Sequence, residues 1–185
     1  MDLDKAIKLR HSVRNFKETK KAKWEDVVKA IDAANYAPLA GNISTLRFVY
    51  IQSQETINAL TNASQQPFIQ KASSIVVVCS DNTQMKRSYD ERADKYSKHQ
   101  AGAAIQNFLL EITNLGLASC WVGAFDDIQV RRILNIPENI EVEALLPVGI
   151  EFGVNKKKGR NPLLDNILFF DTWKNKYMKP RMMKE

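Results

Sequence analysis

The run Ser74-Ile75-Val76-Val77-Val78-Cys79-Ser80 constrains the fold of this chain more than any other segment. A strand with one wet face alternates apolar and polar residues, whereas this one is apolar almost throughout and needs cover on both faces. It predicts a buried strand in a central sheet with helices packed around it. Helical periodicity is available to supply that cover. Leu3, Ile7 and Arg10 keep helical spacing over residues 3–10. Trp24, Val27, Val28, Ile31 and Ala34 keep it more strongly over residues 24–36, which Pro38 closes. Residues 100–115 read as a long apolar helix with Gly116 just past its end. Asp126 can cap a helix reaching Asn135, ahead of Pro137. Residues 46–52, 118–122 and 141–152 bring the strands to four.

Strands and helices mix without strict alternation and short crossovers. That favours an α+β fold, with a central mixed β-sheet flanked by helices, over a doubly wound sheet. The 185 residues are enough for one domain with a substantial core, and no linker or repeat divides residues 1–185. Within that domain, residues 84–98 are polar and lack a clean period, which suits a lid. Residues 161–185 are expected to form a C-terminal arm. No apolar run is long enough to cross a bilayer, and the charged N-terminus is not followed by an apolar stretch. A cytoplasmic protein is expected, with Cys79 and Cys120 as buried reduced thiols.

Several chemistries are missing. The chain has 7 glycines and neither a G-x-G-x-x-G nor a phosphate-binding P-loop motif. A bound phosphate would have to be held by side-chain cations. Two clusters offer them: Arg10-His11-Ser12-Val13-Arg14-Asn15-Phe16, and Lys158-Gly159-Arg160. The only histidines are His11 and His99, and no zinc-type spacing or nucleophile elbow occurs. No metal site and no side-chain catalyst are expected, so a cofactor that carries its own chemistry is the better fit. The net charge of +6 could steer anionic ligands or mark nucleic-acid binding. The tail from Phe169 to Tyr177 interleaves aromatic residues with lysines. An alternative reading is therefore a basic binding protein for nucleic acid or another anionic partner, without redox activity. An arm packing its aromatics on a second copy of the chain is the simpler account of that tail.

Five segments, in order along the chain, resemble the flavin-dependent nitroreductases. The first basic cluster resembles their R-[RH]-S-x-[RK]-x-F opening, and Ala37-Pro38-Leu39-Ala40-Gly41-Asn42 their A-P-S-A-G-N. Gly116-Leu117-Ala118-Ser119-Cys120-Trp121-Val122-Gly123 is similar to G-L-G-S-C-W-x-G. Leu134-Asn135-Ile136-Pro137 with Leu146-Pro147-Val148-Gly149, and then Lys158-Gly159-Arg160, complete the series. The resemblance implies an intertwined α+β homodimer with FMN at two interface sites. NAD(P)H and a small acceptor such as a nitroaromatic or quinone would be its substrates, with no nucleic acid or membrane as partner. Arg10, Ser12, Lys158 and Arg160 would hold the ribityl phosphate region, and Arg14 would lie at the pyrimidine edge. His11 would contact the flavin through its backbone or ring, and Asn42 would approach from the partner subunit. Val122 and Gly123 would lie beside the ring system, where Gly123 lets the backbone come close. After Asn42 the family usually reads x-Q-P-W, where this chain has Ile43-Ser44-Thr45-Leu46. Val122 stands where some members carry Glu. No nucleotide-binding motif is present, so the nicotinamide and the acceptor would use the same flavin face in turn, a ping-pong scheme.

Overall fold

The computed structural model describes residues 1–153 and 162–177. The chain separates into two compact units, residues 1–155 and 156–185.

The first unit contains β1 (Leu46–Ile51), β2 (Ser74–Asp81), β3 (Ala118–Ser119) and β4 (Ile140–Gly149), in the spatial order β1-β2-β4-β3. Its helices are α1 (Leu3–Leu9), α2 (Trp24–Asn35), α3 (Gln54–Ser64), α4 (Thr83–Tyr89), α5 (Ala93–Asn114) and α6 (Asp127–Leu134). The apolar run is the second strand from one edge, and Ile75 to Cys79 are almost completely buried. Its side chains divide by the two-residue period of a strand. Val76 and Val78 pack with Val27, Ala30 and Ala34 of α2 and Ala104, Ile105 and Phe108 of α5. Ile75, Val77 and Cys79 pack with Ile57 and Leu60 of α3 and Val130 of α6. The sheet thus has helices on both faces.

The α+β class holds, but among the described residues the sheet is not mixed: each strand pair is antiparallel. The helical excursions explain this. The segment through α3 leaves β1 at Ile51 and returns beside it, with Ile51 facing Ile75. The segment through α6 likewise leads from β3 back along β4. Each acts as a long hairpin connection. The route through α4 and α5 does make β2 and β3 parallel, but β4 lies between them and pairs with both.

A β-bulge shapes β4. Cys79 faces Val142 while Val78 faces Ala144, so Glu143 is the extra residue. The bulge turns Glu143 toward α5, where Lys98 Nζ lies 2.5 Å from Glu141 and 3.0 Å from Glu143. The start of α5 is also tied down by polar groups. Gln100 donates to the Ile43 carbonyl (3.0 Å), and its side-chain oxygen accepts from the Thr45 amide and hydroxyl. The Ser97 hydroxyl donates to that of Thr45. Thr45, Ser97 and Gln100 are buried, so these bonds replace water they have lost. Residues 84–98, expected as an aperiodic lid, are helical: they span α4, a 3-10 turn at Asp90–Arg92 and the opening of α5.

The second unit is described at residues 162–177. It holds α7 (Leu164–Ile167) and a tight turn. Phe169 and Trp173 pack with centroids 4.7 Å apart, and the Lys176 ammonium lies 4.0 Å above the Phe169 ring. Trp173 and Tyr177 are exposed.

Candidate functional site

The first basic cluster begins where α1 ends. The Arg10 amide donates to the Ala6 carbonyl, closing the helix, and the chain then extends along the end of the sheet. The Val13 amide donates to the Ser119 carbonyl (3.0 Å) and the Lys17 amide to that of Ile150 (2.8 Å). Phe16 forms an antiparallel bridge with Glu151. Val13 and Phe16 are buried against Ala72 and Ala118. Gly149 permits this approach, since a Cβ there would stand 2.9 Å from Phe16 Cδ1. With Val13 and Phe16 anchoring the segment, Arg14 is exposed and Arg10, His11 and Ser12 are partly exposed.

Among the described residues, neither Arg10 nor Arg14 has a carboxylate partner in an ion pair. Their charge is felt by Cys120. Burial raises its thiol pKa, while the charge of Arg14, the Ser12 hydroxyl and the charge of Arg10 act against that rise. The structure therefore brings Arg10, Ser12 and Arg14 to Cys120, just past β3. Beside them the Ser119 hydroxyl is buried and has no hydrogen-bond partner.

His11 is held at both ring nitrogens. Nδ1 lies 2.9 Å from the Leu9 carbonyl, and Nε2 lies 3.0 Å from Glu151 Oε1. A carbonyl and a carboxylate only accept, so both bonds together require the doubly protonated ring. Leu9 and Glu151 raise the His11 pKa above the ordinary histidine value, against burial and the charge of Arg10. Both ring nitrogens are thus engaged within the protein, which leaves the backbone as the polar group His11 can present.

Val122 exchanges both backbone hydrogen bonds with Leu145, at 3.0 Å each, and its side chain lies in the core. Next to it Gly123 is open: a Cβ there would meet nothing nearer than Trp121 Nε1 at 3.9 Å. Lys158 and Arg160, expected to complete the cationic site, lie outside the described residues.

Asn42 sits in a different place. Gly41 and Asn42 both adopt the left-handed region, with φ of 56° and 60°. Tyr89 of α4 covers Gly41 so closely that a Cβ would stand 2.1 Å from its hydroxyl. This turn leads into β1, and Leu46 at the start of β1 faces Ser80, which faces Glu141. Ser119, beside the basic cluster, faces Val148. Glu141 and Val148 are seven positions apart on β4, which is roughly 23 Å at about 3.3 Å per residue. Within one chain, Asn42 and the Arg10–Arg14 segment therefore stand at opposite ends of the sheet. That separation could not be read from the sequence, and neither could the partnership of His11 with Glu151, 140 positions away.

An antiparallel sheet with helices on both faces, its Arg10 and Arg14 without ion-pair partners among the described residues, defines an α+β domain with a basic segment at one end. The sequence model of the Nitroreductase family matches residues 7–71 and 60–150. The chain belongs to that family. A protein of Archaeoglobus fulgidus provisionally named NADH dehydrogenase/NAD(P)H nitroreductase is 31% identical over 150 residues, covering 78% of this chain and 83% of its own. A nitroreductase family protein of Clostridium difficile 630 is 29% identical, with a TM-score of 0.80 over 93% of this chain and 99% of its own. An FMN-dependent nitroreductase of Clostridium difficile R20291 shares the fold, with a TM-score of 0.77 and 22% identity over 91% of this chain and 98% of its own. Among the described residues, no helix is long and apolar enough to cross a membrane.

Proposed function

We propose that this chain binds FMN and uses NAD(P)H to reduce small acceptors such as nitroaromatics or quinones. As a member of its family the chain is an NAD(P)H-dependent flavin oxidoreductase. FMN as the particular flavin, the acceptor class and the kinetic scheme are the finer reading. The observation that carries it is the pair of guanidinium groups, Arg10 and Arg14, without ion-pair partners among the described residues and held with Ser12 beside β3, from which the chain runs on to Gly123.

The residues present fit FMN. A terminal phosphate needs cations and hydroxyl donors, which Arg10 and Ser12 supply, and Lys158 and Arg160 would add to them. A pyrophosphate would call for a glycine-rich loop, which the chain lacks. The orphaned Ser119 hydroxyl is a further donor at the same end of the sheet. Bound there, FMN would supply the hydride and two-electron chemistry between NAD(P)H and an acceptor. Arg14 at the pyrimidine edge would stabilise negative charge there. Gly123 keeps the approach open. No side chain in the cluster is placed as an essential acid or base, so proton delivery falls to water or the substrate.

The site is read as shared between two copies. If Asn42 contacts the same flavin as Arg10, it must come from another chain, because its own lies at the far end of the sheet. Leu3 and Ile7 of α1 and Trp24 and Val28 of α2 are exposed and apolar, as a face covered by a second copy would be. The arm carrying Phe169, Phe170 and Trp173 would lie across that partner.

The test is direct. Purified protein should release a chromophore on heating whose mass is that of FMN, and sedimentation should give about twice the chain mass of 21.1 kDa. Double-reciprocal plots of NAD(P)H oxidation at several acceptor concentrations should be parallel. FAD, or no flavin after reconstitution, would refute the cofactor. Intersecting lines would refute the shared face.

A further inference from the structure

We infer that Glu151 is a positioning residue for the phosphate site: by holding His11 in its cationic form it fixes the Arg10–Arg14 segment and hides its own negative charge from a bound phosphate. The inference rests on the FMN reading above and adds a residue to it.

Three observations carry it. Glu151 follows β4 and sits in the backbone bridge to Phe16, the residue that anchors the basic segment. The flanking backbone bonds, Lys17 to Ile150 and Phe152 to Asn15 (2.9 Å), close the same juncture. From there the carboxylate reaches back to His11 at 3.0 Å, so the segment is tied to β4 by backbone at one point and by a side chain five residues earlier. The second His11 nitrogen is bound to Leu9, at the last turn of α1. His11 thus links the end of α1, the basic segment and the end of β4.

The charge logic follows from the groups that face His11. These are Glu151 from the end of β4 and Arg10 from its own segment. With His11 protonated, the pair with Glu151 is close to neutral, and the phosphate meets the guanidinium groups. Without that proton the ring can donate only one hydrogen bond, the tie to Leu9 or to Glu151 is lost, and a bare carboxylate remains beside the phosphate. Such a carboxylate repels a phosphate dianion. FMN affinity should therefore fall as pH rises through the His11 titration, which lies above the ordinary histidine value. The second ionisation of the FMN phosphate, near pH 6, acts in the opposite direction and does not depend on Glu151.

The experiment has an arm without flavin and an arm with it. Proton NMR of the apoprotein should show one histidine, assigned through His11→Gln, titrating above the ordinary value near 6.5. In Glu151→Gln that histidine should move back toward the ordinary value. FMN binding, read by flavin fluorescence, should weaken about two- to fivefold between about pH 7 and pH 9 in the parent protein, as one exposed charge contributes. Glu151→Gln should bind FMN with a flat profile over that range. His11→Lys, cationic throughout, should also stay flat and guards against poor folding of the first variant. Riboflavin, which lacks the phosphate, should show no such dependence with any of the three proteins. A His11 that titrates normally in the apoprotein overturns the inference whatever FMN does. A shifted His11 with a pH-independent FMN affinity, where Arg10→Ala still weakens FMN, overturns it and leaves the FMN reading intact. Absence of FMN binding by any of these proteins overturns both.

Discussion

The two ends of the sheet treat their charges in opposite ways. At the Glu141 end, Lys98 is placed between two carboxylates, and the Thr45–Ser97–Gln100 network satisfies its buried polar groups internally. At the Ser119 end, Arg10 and Arg14 have no carboxylate partners among the described residues, whereas buried polar atoms without a partner occur at both ends, Ser119 here and Ser80, Asn82 and Glu143 there. Burial alone would lower the Lys98 pKa, yet Glu141 and Glu143 hold it above the ordinary lysine value. The Lys98 charge at that end is thus paired within the chain. At the other end the charges of Arg10 and Arg14 are not paired among the described residues, as the proposed phosphate site requires. Under the proposed function, the contrast separates charge used to build the fold from charge kept for a ligand.

The strongest way to break this comparison is to mix damaged chains. Arg10→Ala and Asn42→Ala proteins should each be weak FMN oxidoreductases. If the two ends meet only across two copies, unfolding and refolding them together should restore about a quarter of the parent activity, because half the random dimers carry one intact site. No restoration would place Asn42 away from the flavin. Next in size, Arg10→Ala should weaken FMN about ten- to a hundredfold, from the roughly 1.5–3 kcal/mol of one charge-assisted contact, with little change in thermal stability. Fluorescence titration and calorimetry on the same sample separate the two effects. Lys98→Ala should do the reverse. It leaves the bulged, nearly buried Glu143 without its partner, and denaturant unfolding should show a loss of about 1–3 kcal/mol with FMN affinity unchanged.

Gly41→Ala should cost about 1 kcal/mol for the left-handed backbone alone, plus the displacement of Tyr89. In a Tyr89→Ala background the second part should vanish, which a double-mutant cycle would measure. The smallest effect is on acid stability. Lys98 holds the Glu141 pKa below the ordinary carboxylate value. Its contribution is present above the unfolded-state pKa and is lost as pH falls through the lowered one. Glu141→Gln should therefore lessen the loss of stability below about pH 4.5 and leave the neutral-pH FMN profile unaltered. A change in that profile would join the two ends that the structure separates.

The elements that were legible in the sequence are those whose signal is local. The apolar run, the α2 stripe closed before Pro38 and the Asp126 cap on α6, with its carboxylate accepting from the Gln129 amide at 3.0 Å, all stand where periodicity and capping put them. α3 was missed, although Ser53 as its cap and the buried spacing of Ile57 and Leu60 were there to be read. The beginning of α5 was missed because its inward face is polar: Ser97 and Gln100 point into hydrogen bonds with Thr45 and its neighbours rather than into an apolar core. An apolar-periodicity argument cannot detect a helix face of that kind.

By itself, the sequence determined the family, the class of fold, the buried strand and the basic cluster, because motif order, two-residue alternation and charge composition are properties of neighbours along the chain. Only the tertiary structure decided that β4 occupies the place between two parallel strands, that a bulge delivers Glu143 to Lys98, and that Glu151 holds His11. It also decided that Arg10 and Asn42, both near the N-terminus, stand at opposite ends of one sheet. These are long-range pairings, and their register is set by which faces the helices must cover rather than by any residue's own preference.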